Sequence, residues 1–134
     1  MRGRNMLLLA TLLAAPAAAG AQQPMTQQDQ AMRMQRMQET TARMDRVMQN
    51  VRELNHMMIQ QRAQQGLREM GQNMEQACER LQLMIRDMDR LQKDATLQGD
   101  RDRVRQMDEL HDRLRDMLQQ MDQARDALHK IASP

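Results

Sequence analysis

Hydrophobic residues recur along this chain at intervals of three and four. In the first segment they are Met37, Thr40, Met44, Val47, Val51, Leu54 and Met58. In the second they are Met70, Met74, Ala77, Leu81, Met84, Met88, Leu91 and Ala95. In the third they are Met107, Leu110, Leu114, Met117, Met121, Ala124, Leu128 and Ile131. This spacing is that of the a and d positions of a heptad repeat, so it predicts three helices, each with one apolar seam.

The three seams cannot face the same side of one straight helix. Met58 and Met74 are 16 residues apart, which puts their seams about 160° apart at 100° per residue. The 12 residues from Ala95 to Met107 give about 120° by the same geometry. The chain must therefore fold back on itself for the seams to meet.

Glycines and capping residues mark the two turns. Gly66 and Gly71 separate the first two seams, and Gly99 is followed by Asp100, a residue favoured at helix N-caps. Helices are expected over about residues 27–65, 68–97 and 101–131.

The seams are wider than those of a two-stranded coiled coil, because further apolar residues adjoin them. These are Met48, Cys78, Ile85 and Leu118. We therefore predict an all-α fold, an elongated antiparallel three-helix bundle. A helical hairpin, with the first segment loosely docked or engaged with a second subunit, is the alternative.

The first 21 residues have a different character. Arg2 and Arg4 precede an apolar run over residues 6–15, and small residues follow up to Ala21. This is the three-part pattern of a secretory signal peptide, and the run is half as long as the roughly 20 apolar residues of a membrane span. We expect cleavage after the segment 1–21, export to the periplasm or medium, and a single helical domain over residues 22–134.

Removal of that segment leaves a neutral chain. It contains two of the 20 Lys and Arg residues and none of the 18 acidic ones, so 18 of each sign remain. Neutrality removes the electrostatic attraction to nucleic acid or anionic lipid, and no aromatic residue is present to stack on bases. We expect protein partners or a homodimer, with no nucleic acid and no membrane span in the mature chain.

Methionine is the most unusual feature of the composition, with 17 residues in the chain. Ten of the 15 beyond the signal segment lie at seam positions, where Met is a flexible core residue. Thioethers are also soft ligands for Cu(I) or Ag(I). Folding at the two turns is expected to bring one sulfur-rich set into a common layer, as a candidate metal site: Met58, Met74, Cys78, Met117 and Met121.

Cys78 is the single cysteine, which excludes an internal disulfide. It can be a small buried hydrophobe, an intermolecular disulfide partner, or a metal or redox group. His56 and His129 fall on outer helix faces, and His111 lies beside the third seam. Acidic and basic residues alternate along polar faces without a catalytic motif, so no enzyme activity is expected.

An N-terminal hexapeptide, Met25-Thr26-Gln27-Gln28-Asp29-Gln30, approaches the L-T-x-x-Q motif of small periplasmic stress proteins. It has Met for Leu, and its Gln stands one place late. With the export signal, the helical pattern and the abundance of Gln, Arg and Met, the chain loosely resembles the Spy/CpxP/ZraP type. That resemblance implies dimeric helical hairpins that act as ATP-independent chaperones or in envelope and metal stress. The resemblance assigns no functional residue of that family to a position in this chain.

Three functions follow as hypotheses. The first is an exported protein that works by protein–protein contact, as a chaperone-like or envelope-stress module. The second is a periplasmic Cu(I)- or Ag(I)-binding protein that uses Met side chains and Cys78. The third is a structural coiled-coil protein whose Met residues consume oxidants as reversible sulfoxides.

Overall fold

The structure, a computed structural model, describes residues 26–134. Within that range the chain forms helices and no strand: α1 (Gln27–Gln60), α2 (Gln65–Gln92), the short α3 (Ala95–Gln98) and α4 (Arg101–Ala132). The all-α prediction is confirmed. The predicted signal peptide, residues 1–21, lies outside the described residues.

The three long helices pack as an up-down-up bundle. α1 and α2 are antiparallel. The Gln82 side chain donates a hydrogen bond to Asp45 at 3.0 Å, and the Asn55 side chain donates one to Glu75 at 2.8 Å. Parallel α1 and α4 are joined by the buried contact of Thr40 with His111. One apolar cluster contains buried residues of all three helices. A bundle therefore forms, and α1 is part of its core.

The turns between the long helices begin earlier in the chain than the positions of Gly66 and Gly99 predict. α1 ends at Gln60, and Arg62 adopts a left-handed conformation, with φ of 52°. The amide of Ala63 then donates to the carbonyl oxygen of Met58 at 2.9 Å and closes the turn. At the second turn the chain leaves α2 at Gln92 and makes the separate one-turn α3.

Side-chain caps begin α1 and α4. Thr26 and Asp29 form a reciprocal capping box at the start of α1. Asp100 accepts hydrogen bonds from the amides of Asp102 and Arg103 at the start of α4. These caps satisfy backbone donors that have no partner within the helix.

The predicted seam of α1 is correct, since all seven of its residues are buried. Each predicted seam consists of two rows of residues, and each row repeats every seven positions. In α2 and α4 one of these two predicted rows lies one position away from the row that is buried. The buried row of α2 is Gly71, Cys78 and Ile85, where Met70, Ala77 and Met84 were predicted. The buried row of α4 is Val104, His111 and Leu118, one position away from the predicted row of Leu110, Met117, Ala124 and Ile131.

Close packing at Gly71 explains why the Gly71 row of α2, and not the Met70 row, is buried. Asn55 of α1 donates to the carbonyl oxygen of Gly71 at 3.1 Å. A β-carbon at Gly71 would collide with the Asn55 side chain and with the terminal methyl of Met58. The α1–α2 approach therefore needs the glycine row inside, and this rotation leaves the Met70 row outside.

Candidate functional site

The rows that the bundle leaves outside form one exposed apolar feature. We call them the α2–α4 stripe, which consists of Met70, Ala77, Met84 and Leu91 of α2 with Leu110, Met117, Ala124 and Ile131 of α4. Its six Met, Leu and Ile side chains are 41% to 65% exposed. Each row repeats every seven residues, so it stays on one side of its helix.

The contacts with α1 show that both rows border the same groove. On α2, Glu75 and Gln82 hydrogen-bond to α1. On α4, Asp108 is paired with Arg33 of α1 at 2.6 Å. The stripe row of each helix is about 160° around the helix axis from these residues. Both rows therefore line the groove between α2 and α4, on the face remote from α1.

The α2 side of this face has further exposed residues beside the stripe. Leu83, which is 57% exposed, lies about 100° around the helix from Met84. Arg80 and Asp87 lie on either side of that pair and are also exposed. From Met70 to Leu91 the row covers 21 residues, or about 32 Å of helix. The face is long, apolar along its middle, and bordered by charges of both signs.

The predicted sulfur-rich set is only partly brought together. Met58 is buried in a small cluster with Met74 packed against it. Met74 also packs against the main cluster, which contains the fully buried Cys78 and is contacted by Met121. Met117 is 44% exposed and belongs to the stripe. The five side chains therefore do not line one enclosed pocket.

Cys78 has the chemistry of a core residue. Burial raises the pKa of its thiol to about 11, and the nearby carboxylates of Glu75 and Glu79 add to the effect. The thiol therefore stays protonated at neutral pH, whereas metal binding and disulfide exchange require the thiolate. Within residues 26–134, no group of three or more His, Cys, Asp or Glu side chains could hold a metal ion.

A buried polar pair that the hydrophobic pattern does not predict joins α1 to α4. The Thr40 hydroxyl donates to the carbonyl oxygen of Arg36 at 2.9 Å and lies 2.8 Å from Nε2 of His111. Burial lowers the pKa of His111, with a further contribution from Arg115. The sequence feature that could have indicated a buried His111 is its seven-residue spacing from Val104 and Leu118, which are also buried. His56 and His129 are exposed.

A small cavity lies at the end of the bundle where α1 begins and α2 ends. It measures about 60 Å³, and its lining includes Arg33, Gln92 and Asp108. This volume is well below the roughly 300 Å³ of the smallest typical ligand pockets. The cavity therefore does not suit a metabolite. Three wider depressions of about 270 to 580 Å³ are open to solvent and lined mainly by polar and charged side chains, so the α2–α4 stripe is the main apolar candidate site.

Comparisons of the chain with models of protein families, with curated proteins and with solved structures found no match. No helix in the described part of the chain combines the length and apolar character needed to cross a membrane. The fold and site together define a helical bundle with an exposed apolar groove.

Proposed function

We propose that this protein is exported to the periplasm and works there through protein–protein contact, as a chaperone-like or envelope-stress module. The observation that supports the proposal is the α2–α4 stripe. Large apolar patches on a monomer are typical of binding surfaces, since leaving them in water is unfavourable. The resemblance to small periplasmic stress proteins agrees with this function.

The side chains of the stripe suit varied partners. Met70, Met84 and Met117 are unbranched and polarisable, so they adapt to irregular apolar surfaces. Leu and Ala occupy other positions of the rows, and no charged residue interrupts them. Such a surface favours binding to varied apolar segments of partly unfolded proteins over binding to one partner of fixed shape.

Aggregation of an unfolded client tests the proposal. Several chemically denatured clients are diluted into buffer with stoichiometric protein, and light scattering is followed. We expect the wild type to suppress aggregation and the Met84→Gln/Met117→Gln variant to lose most of that effect. Gln keeps the helix propensity and length of Met but is polar.

A matched control uses two exposed methionines outside the stripe. The Met32→Gln/Met34→Gln variant changes α1 side chains that are 47% exposed, and it should act as the wild type does. Far-UV circular dichroism establishes that all variants remain helical. Failure of the wild type on every client, or equal activity of the stripe and control variants, would contradict the proposal.

A further inference from the structure

We propose that oxidation of Met70, Met84 and Met117 to sulfoxides switches off binding at the α2–α4 stripe, and that reduction restores it. The modifying reagent is a two-electron oxidant of the peroxide class. The proposal rests on the proposed function, because it requires that the stripe binds apolar segments, and it names the regulation of that same site. The positions of the methionines in the bundle support it.

Methionine supplies half of the large side chains of the stripe. Three of its six Met, Leu and Ile residues are methionines, with exposures of 54% for Met70, 42% for Met84 and 44% for Met117. Two of them lie on α2 and one lies on α4, so they border both sides of the groove. A small oxidant in the solvent therefore reaches the binding surface on both helices.

The methionines that hold the bundle together are shielded from the same oxidant. Met37, Met44, Met58 and Met88 are each at most 1% exposed. Because the oxidant must contact the sulfur atom, these side chains react only when the bundle opens. The stripe can therefore be oxidised while the core stays packed, which is what a switch at the surface requires.

Cys78 does not compete for the oxidant. Its side chain is fully buried, and the raised pKa of its thiol keeps it protonated at neutral pH. The thiolate is the reactive form of cysteine. The exposed methionines therefore react before the single cysteine of the chain.

The reaction exchanges an apolar group for a polar one at the binding surface. The O–O bond of the peroxide breaks, one oxygen atom forms an S–O bond with the thioether, and water leaves. The sulfur gives up two electrons, which reduce the peroxide. Two thiols supplied through a methionine sulfoxide reductase reverse the step and form a disulfide and water. A sulfoxide oxygen covered by an apolar segment loses its hydrogen bonds to water, so the oxidised stripe disfavours such a segment.

An oxidation-resistant variant tests the proposal. Dilute hydrogen peroxide is applied until peptide mass spectrometry shows sulfoxide at the three stripe methionines and intact thioethers in the core. Half-maximal suppression of client aggregation should then require about tenfold more wild-type protein than before oxidation. Methionine sulfoxide reductases with a dithiol should restore the original value. The variant Met70→Leu/Met84→Leu/Met117→Leu keeps the stripe apolar and should act equally well before and after peroxide.

A matched control replaces two exposed methionines outside the stripe. The variant Met32→Leu/Met34→Leu keeps all three stripe sulfurs and should lose activity on oxidation as the wild type does. Far-UV circular dichroism should show unchanged helicity in every oxidised sample. An oxidised wild type as active as the reduced protein would overturn the proposal. So would equal losses in the wild type and the stripe Leu variant, or a loss that appears only when the helices melt.

Binding of the apolar dye anilinonaphthalene sulfonate separates this proposal from the proposed function. If the reduced wild type protects no client, but peroxide weakens dye binding in the wild type and not in the stripe Leu variant, the function fails and the oxidant-sensitive surface stands. If the reduced protein suppresses aggregation and peroxide changes neither this activity nor dye binding, the switch fails and the function stands.

Discussion

At the scale of single residues, Gly71 is the one of the three described glycines where an added β-carbon would collide with its neighbours. Its carbonyl accepts from Asn55, and an added β-carbon would meet Asn55 and Met58. Gly71→Ala should lower the free energy of unfolding by about 1–3 kcal/mol, despite the higher helix propensity of Ala. Urea denaturation followed by circular dichroism measures the change.

Gly66 provides the matched comparison, because a β-carbon there meets nothing within 4 Å. Gly66→Ala should raise the free energy of unfolding by up to about 1 kcal/mol. Equal effects of the two substitutions would show that the close approach at Gly71 does not determine the packing.

His111 makes stability depend on pH. Its folded-state pKa is lowered from the ordinary value of 6.5, by burial first and then by Arg115, while Asp112 and Asp108 act in the opposite direction and Arg36 of α1 adds to the lowering. The unfolded chain therefore binds the proton more readily, so this contribution to stability is complete above pH 6.5 and is lost as the pH falls below it.

We expect each pH unit below 6.5 to cost up to about 1.4 kcal/mol, until the lowered folded-state pKa is reached. His111→Leu should remove this part of the pH dependence, and Thr40 then keeps its hydrogen bond to Arg36. Unfolding by urea between pH 5 and 8 measures the slope. His129→Gln, on an exposed face, should retain the wild-type profile, and an unchanged slope in His111→Leu would refute the assignment.

At the scale of the helices, Leu118 and Met117 distinguish the observed rotation of α4 from the predicted one. Leu118 is fully buried, whereas Met117 is 44% exposed. Leu118→Ala should cost about 2–5 kcal/mol, and Met117→Ala should stay within about 1 kcal/mol of the wild type.

The measurement is thermal unfolding at a protein concentration low enough to exclude self-association. A larger loss at Met117 than at Leu118 would favour the seam that the hydrophobic pattern predicts. Met117 and Leu118 are adjacent, and Met and Leu have similar helix propensities. Replacement by Ala therefore changes the helix propensity by a similar amount in the two variants.

At the scale of the whole molecule, the methionines fall into two groups that should differ in oxidation rate. Dilute peroxide followed by peptide mass spectrometry should convert the exposed group first: Met32, Met34, Met70, Met84 and Met117. The buried group should follow later and with loss of helicity, because a polar sulfoxide disrupts a packed core: Met37, Met44, Met48, Met58, Met88 and Met107.

Early oxidation without loss of helicity would support the oxidant-sink hypothesis. A common rate for the two groups would contradict the burial that the bundle gives them.

Much of the fold could be predicted from the sequence, because its helices depend on local properties. The seam of α1, the cap at Asp100 and the all-α class all follow from residue spacing and nearby side chains. The candidate site was less predictable. Met117 was expected inside, and the Thr40–His111 pair joins residues 71 positions apart, a contact that no local pattern contains.

The sequence by itself determined the helices, their approximate limits and the presence of an apolar stripe on each. Only the tertiary structure decided which of two adjacent apolar rows faces inward on α2 and α4. Both choices give an amphipathic helix, and they differ by a rotation of about 50°, half of the 100° between adjacent residues. Contacts between helices decide the rotation, because Gly71 must meet Asn55, and His111 must meet Thr40. The same rotation turns the Met70, Met84 and Met117 side chains outward and so creates the candidate site.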